Sequence, residues 1–451
     1  MSIDDGSVTD LLYGLDVRPP LRETLFVALQ HVFAVFVGMI TPPLLIAGAL
    51  KLDSADTAYL VSMSLFVSGA ATILQTSRLG PIGSGLLSIQ GTSFTFIAPI
   101  ISVAGVAMAA GSSATQALGG VFGLCAAGAL VVVLASRFIR FASAVITPVV
   151  TGTVVTLIGL TLIQVGMVSV GGGYGALADG SFGSAQNLGL AALVMVVILV
   201  FSNSRSPRLR MLSVVLGLLA GYIAALFLGR LHLGAIRDAP LLNLPVPFRF
   251  GFSFDPSAFL PFLFMYLITV MESIGDLTAT STLSGQPISG PLYFRRLQGG
   301  LLADGINSLV GACLNSFPST TFAQNNGVIQ LTGVGSRYVG IFIGGILMVL
   351  GLVPAVGVMV QALPPSALGG ATLILFGMVA ASGIRILSGV QMNRRNATIL
   401  ALSLGLGLGV SFVPQITQAL PAVLRNAFSS GIATGGMCAL VLNIVLPGER
   451  Q

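Results

Sequence analysis

The sequence predicts an all-α, polytopic membrane protein, and three observations carry that reading. Only 8% of residues are charged while 55% are hydrophobic, against about 25% charged in ordinary soluble domains. Windows such as 118–136 and 187–201 hold no charge at all, the pattern of membrane-crossing helices. The twenty Lys and Arg residues also sort unevenly once spans are drawn. Fifteen fall on the side of the N-terminus and five (Lys51, Arg230, Arg237, Arg249 and Arg425) on the other, the asymmetry of the positive-inside rule.

Taken in order, the apolar units are 26–48, 57–77, a broken unit 82–110, 114–136, 142–168, 187–202 and 211–230. A second set follows: 257–281, 299–316, a broken unit 318–334, 339–362, 366–388, 396–413 and 418–446. The total is about fourteen, and adding or removing one span midway scrambles the charge sorting. Residues 1–24 precede the first unit as a cytoplasmic tail, polar and acidic at its start and without a signal-peptide layout. Residues 448–451 form a second tail on the same side.

Several function classes are excluded early. Cys125, Cys313 and Cys438 each lie in an apolar segment with no paired spacing, and so fit small core residues better than disulfides or metal ligands. No CxxC, HExxH, Walker or Rossmann pattern occurs, so neither a metal site nor a cofactor-driven enzyme has support. The arginines are scattered, so the pI near 9.6 reflects membrane topology rather than nucleic-acid binding.

The two broken units echo each other. "LLSIQGTSFTF" (86–96) and "SFPSTTFAQNNG" (316–327) are polar, glycine-containing interruptions about half a chain apart. Seven spans per half is an odd number, so the second half is expected to be an inverted copy of the first. Interruptions at matching places in two inverted halves point to a transporter's binding site, because non-helical backbone at that depth must line a cavity or be buried in protein.

Eleven of the fourteen acidic residues lie in tails, loops or span ends; Glu272, Asp276 and Asp304 do not. Glu272 and Asp276 stand four apart, on one face of the eighth span. An intramembrane carboxyl group is a functional-site hypothesis by default, and a proton carrier is one such function. For Asp276 and Asp304 a structural hydrogen bond between helices is an equal alternative. His31, the sole histidine within a span, fits a buried structural donor that shapes the site through a hydrogen bond. An aspartyl intramembrane protease would also use paired aspartates, but nothing around Asp276 and Asp304 resembles one.

At "QNNGVIQLTG" (324–333) the chain resembles the nucleobase–ascorbate transporter family, also called nucleobase:cation symporter-2. Its signature is Gln, Glu or Pro, then Asn, any residue, Gly, four more, Thr, and Arg, Lys or Gly; Gln324, Asn325, Gly327, Thr332 and Gly333 fill it. "LQHVFAVFVGMITPPLLI" (29–46), "SIQGTSF" (88–94), "MESIGDLTA" (271–279) and "LADGINS" (302–308) extend the likeness over nearly the whole chain. Within the family it looks most like bacterial xanthine permeases.

The resemblance implies fourteen spans in two inverted seven-span repeats, with short extended stretches in spans 3 and 10. It divides the chain into core (25–140 and 257–362) and gate (141–256 and 363–447) domains, and implies a homodimer joined through the gates. By position it assigns substrate contacts to Glu272, Gln324, Ser93 and Phe94, and to the backbone of Phe322 and Ala323. Asp276, Asp304, Asn325 and His31 become coupling or supporting residues. The implied function is proton-driven import of an oxidised purine across the cytoplasmic membrane by alternating access, with no cofactor beyond the proton gradient.

Two details tune the substrate. Uracil-type members tend to open the signature with Glu, so Gln324 favours xanthine over pyrimidines. Many xanthine-selective members carry a bulkier amide where Ser93 stands, and the extra room suits uric acid. Anion transporters share the architecture, but no Lys or Arg falls beside the interruptions.

Overall fold

The computed structural model describes residues 11–139, 147–231, 242–322, 324–420, 424, 428 and 431–447. Helices dominate, and eight of those described are long and apolar enough to cross a membrane. The first half contains α1 (Leu21–Ala49), α2 (Ser54–Ser77), strand β1 (Gln90–Thr92), α3 (Ile97–Ala109), α4 (Ala114–Arg137), α5 (Pro148–Val170), α6 (Gly173–Asp179), α7 (Ala185–Ser202) and α8 (Pro207–Phe227). The second contains α9 (Phe259–Leu283), α10 (Gly290–Cys313), β2 (Ser319–Thr321), α11 (Gln324–Thr332), α12 (Arg337–Leu352), α13 (Pro354–Gln361), α14 (Pro365–Ser388), α15 (Arg394–Phe412) and α16 (Gly431–Val445).

Local chemistry sets the helix starts. Asp53 caps α2 by accepting from the Asp56 N–H at 2.7 Å. Ser113 and Gln116 form a reciprocal capping box at α4, satisfying two of the orphan donors at a helix N-terminus. Pro148, Pro207 and Pro365 stand at the first turns of α5, α8 and α14, where a missing N–H costs nothing.

The two broken spans cannot cross as helices alone. Helix α3 has 13 residues and α11 has nine, or roughly 20 and 14 Å at 1.5 Å per residue, against a ~30 Å hydrocarbon core. The missing length is extended chain. β1 and β2 pair antiparallel, Gln90 opposite Thr321, Gly91 opposite Thr320 and Thr92 opposite Ser319. The ladder continues at both ends, the Phe322 N–H donating to the Ile89 carbonyl (3.0 Å) and the Ser93 N–H to the Pro318 carbonyl (2.9 Å). Each interruption thereby satisfies the other's backbone, as a low-dielectric interior demands.

Around this ladder α2 lies along α12 and α10 along α4, while α14 lies along α5, α7 along α8 and α15 along α16. Only 28% of the apolar window of α7 and 22% of that of α15 are buried, against 78% for α2. The first two therefore lie at the periphery of the chain and α2 belongs to the packed interior.

Some boundaries depart from the sequence reading. α10 starts at Gly290, nine residues before the expected span, with Pro291 in its first turn, where proline suits a helix start, and it carries Arg296 buried within it. The eleventh unit is divided at Val353, just before Pro354, a residue that breaks the helical ladder. Helix α6 has no counterpart in the expected spans. Much of 418–430 lies outside the described residues, as do Arg237 and Arg425.

The tail also differs from a free segment. Tyr13 forms a parallel bridge with Val334, its N–H donating to the Gly333 carbonyl (3.2 Å) and its carbonyl accepting from the Gly335 N–H (2.9 Å). Ser336 Oγ donates to the Val17 carbonyl (2.5 Å), Asp16 pairs with Arg337 at 2.8 Å, and Arg18 lies over the Tyr338 ring. Residues 11–18 thus strap the junction between α11 and α12. Gly333 permits that junction through its left-handed backbone (φ +66°).

Candidate functional site

The carboxylates, the hydroxyls and the aromatic pair of the site meet where β1 and β2 cross beside α9. Glu272 and Asp276 share one face of α9, half-buried, with Gly275 and Ala279 exposed along the same stripe. Thr95 Oγ1 donates to both Glu272 oxygens, at 3.0 and 3.3 Å. Thr321 Oγ1 donates to Asp276 Oδ2 at 3.0 Å. One hydroxyl from each broken span therefore holds one carboxylate of the pair.

Asp304 sits behind this face, fully buried on α10. Its Oδ2 accepts from Ser273 Oγ at 2.5 Å, and Ser273 lies 3.5 Å from the Thr320 hydroxyl of β2. Asp304 ties α10 to α9 and the ladder. Asn325 donates from Nδ2 to the Leu87 carbonyl at 2.5 Å, fastening the start of α11 to the chain entering β1. His31 is wholly buried on α1 with the Asn325 amide beside it. Thr280 donates to Asn326 Oδ1 at 2.7 Å, so this amide, in a variable position of the signature, joins α9 to α11.

The aromatic side is built on close approach. The Phe322 ring lies over Gly38 of α1 and Gly91 of β1, where any Cβ would collide with it. Phe94 meets Phe322 at 6.1 Å between centroids and packs edge-on against Phe376 of α14 at 5.7 Å. Phe94 thus stands at the seam between the ladder and a helix of the other group. Gln324, half-buried at the start of α11, makes no side-chain hydrogen bond among the described residues, which leaves both functions of its amide available.

Two expected contacts look different in detail. The Phe322 N–H is committed to Ile89 and its carbonyl accepts from the Asn325 N–H at 3.1 Å, so its ring is its contribution to the site wall. Ser93 is buried, and its Oγ accepts from the Thr95 N–H at 3.3 Å, capping the turn that aims Phe94 and Thr95. Ala323 lies outside the described residues. The sequence reading passed over Thr95, Thr321, Ser273 and Phe376. Three are hydroxyl residues, and Thr95 and Thr321 lie inside the interruptions already singled out. Among the described residues no three His, Cys, Asp or Glu side chains converge as a metal site would need.

Comparison with known proteins agrees with this architecture. The transmembrane domain of the cyanobacterial bicarbonate transporter BicA superposes with a TM-score of 0.58 over 89% of this chain and 98% of its own, at 14% identity. The SLC26A9 structure does so with a TM-score of 0.61 over 96% of this chain and 67% of its own, at 12% identity. At those identities the likeness is one of fold. Sequence relatives are far nearer. The xanthine permease XanP of Escherichia coli (strain K12) is 49% identical over 444 residues, covering 98% of this chain and 96% of the relative. Xanthine permease XanQ of the same strain is 45% identical, covering 99% and 96%. The uric acid permease PucJ of Bacillus subtilis (strain 168) is 36% identical, covering 92% and 91%. A family model described as "Permease family" matches residues 22–416, and the chain accordingly belongs to this family of multi-pass membrane transporters.

Proposed function

We propose that the protein imports an oxidised purine, xanthine with uric acid alongside, together with a proton. The observation that carries the reading is a carboxylate, Glu272, held by Thr95 of the first broken span, next to Phe94 in sequence, with an uncommitted amide, Gln324, opening the helix of the second. An amide offers a donor and an acceptor together, matching the adjacent C=O and N–H of a xanthine edge. The carboxylate accepts from a ring N–H, and Phe94 supplies a flat apolar face for the base. The names of XanP, XanQ and PucJ point the same way.

In this reading Glu272 and Asp276 carry the coupling proton, with Asp304, Asn325 and His31 holding the geometry. Protonation and purine binding together permit the core (25–140 and 257–362) to move against the gate (141–256 and 363–447). Two inverted repeats are supported by the exchange of contacts between halves: α2 with α12 answers α10 with α4, and α7 with α8 answers α15 with α16. Alternating access then follows from one bundle rocking against the other around this single fixed site, which opens to each side in turn. The protein resides in the inner membrane as a homodimer joined through its gates, with both termini cytoplasmic, the side given by its arginines.

An uptake panel with labelled xanthine, uric acid, hypoxanthine and uracil, with and without a protonophore, tests the proposal. Xanthine entry abolished by the protonophore supports it; preferred uracil entry, or xanthine accumulation indifferent to the protonophore, refutes it. Glu272→Ala abolishes uptake, and Glu272→Gln removes gradient-driven accumulation. Normal accumulation by Glu272→Gln would end the assignment of coupling to this residue.

A further inference from the structure

Away from the purine site, a buried cation lacks a counterion among the described residues. Arg296, in the first turns of α10, is only 8% exposed. Its Nη2 donates to Gln286 Oε1 at 2.8 Å, but Nε and Nη1 are buried with no acceptor. Arg78, exposed just past the end of α2, and Arg337, at the start of α12, both lie within electrostatic reach of it. The carboxylate beside them is Asp16 of the strap, which is spent on Arg337 at 2.8 Å and is itself largely open to solvent.

Other unpartnered polar atoms border the same place. Ser284 Oγ at the end of α9 is buried without a partner, as are both polar atoms of the Gln75 amide on α2. Gln286, which holds Arg296, donates in turn to the Ser284 carbonyl at 3.3 Å. The Gln75 amide lies against Gly300, one turn beyond Arg296 on α10. A buried charge with unsatisfied donors is among the costlier features a fold can carry, and among the described residues three guanidinium groups against one committed carboxylate leave a local excess of positive charge.

We propose that Arg296, Arg78 and Arg337 form a binding site for a phosphate-type oxyanion at the arginine-rich face of the bundle. A tetrahedral oxyanion offers several acceptors at once and can bridge Arg296 to the other two, giving charge-assisted acceptors to the Nε and Nη1 donors that lack one. Arg78 and Asp16 are exposed, so in this proposal the anion enters from their side. Two sources share this chemistry, inorganic phosphate and the headgroup of an anionic lipid, for which basic pockets between membrane helices are known sites. Bound there, the anion joins the end of α2 to α10 and the start of α12.

The test is thermal unfolding of the full chain in a neutral detergent at constant ionic strength, titrated with inorganic phosphate against chloride. A parallel titration adds phosphatidylglycerol against phosphatidylcholine. A saturating rise in unfolding temperature of about 2–4 °C with phosphate, lost in Arg78→Gln and Arg296→Gln, supports the site with a soluble anion. The same rise with phosphatidylglycerol alone, lost in both variants, supports it with a lipid headgroup. Arg78→Gln keeps the test decisive if Arg296→Gln fails to fold, because Arg78 is exposed. No response to either titrant, or a response undiminished in Arg78→Gln, overturns the proposal.

Discussion

Replacing Thr95 by Val keeps the size and branching of the side chain while removing the hydroxyl that holds Glu272. That hydroxyl donates to both carboxylate oxygens, at 3.0 and 3.3 Å. A hydrogen bond to a charged group contributes about 1.5–3 kcal/mol. If that energy positions Glu272 for the base, its loss lowers Vmax/KM for xanthine by roughly 10- to 150-fold. Thr95→Ser, which restores the hydroxyl, recovers most of it. The assay is initial-rate uptake of labelled xanthine in cells without other purine permeases, normalised to protein in the membrane. Thr95→Val within twofold of the unaltered protein would refute the reasoning, as would Thr95→Ser being equally impaired.

Gly91→Ala drives a methyl group into the Phe322 ring and towards Met39; overpacking of this kind costs about 1–3 kcal/mol, read as a lower unfolding temperature together with lost uptake. Ser273→Ala removes the donor to the buried Asp304 and should destabilise the fold by about 1–3 kcal/mol, visible as a lower unfolding temperature in detergent. Asp16→Asn, by contrast, breaks an ion pair whose carboxylate side chain is 71% exposed, and chemical denaturation should register no more than ~1 kcal/mol.

Legibility in the sequence followed chemical contrast. Glu272, Asp276 and Gln324 stood out because a charged or amide side chain in an apolar run is costly enough to require a reason. Thr95, Thr321 and Ser273 carried no such contrast: a threonine or serine in a membrane helix commonly bonds its own backbone, as Thr72 and Thr269 do here. Only the fold shows which hydroxyls turn instead toward a carboxylate. The strap was hidden for another reason. Its contacts from Tyr13 and Val17 are largely backbone groups, which every residue possesses and no side chain announces. The broken spans were visible as polarity, but their pairing was not, since three-residue strands lack a period to read.

That pairing bears on how the protein is made. Gln90 and Ser319 of the ladder are 229 residues apart, so β1 emerges from the ribosome long before β2. At about 5–20 residues per second the wait lasts roughly 10–45 s. Throughout it, the first polar interruption must be sheltered by the insertion machinery or by water, its backbone lacking the strand that will complete it. A nascent chain stopped anywhere before β2 would be a membrane protein with an unclosed wound at mid-depth.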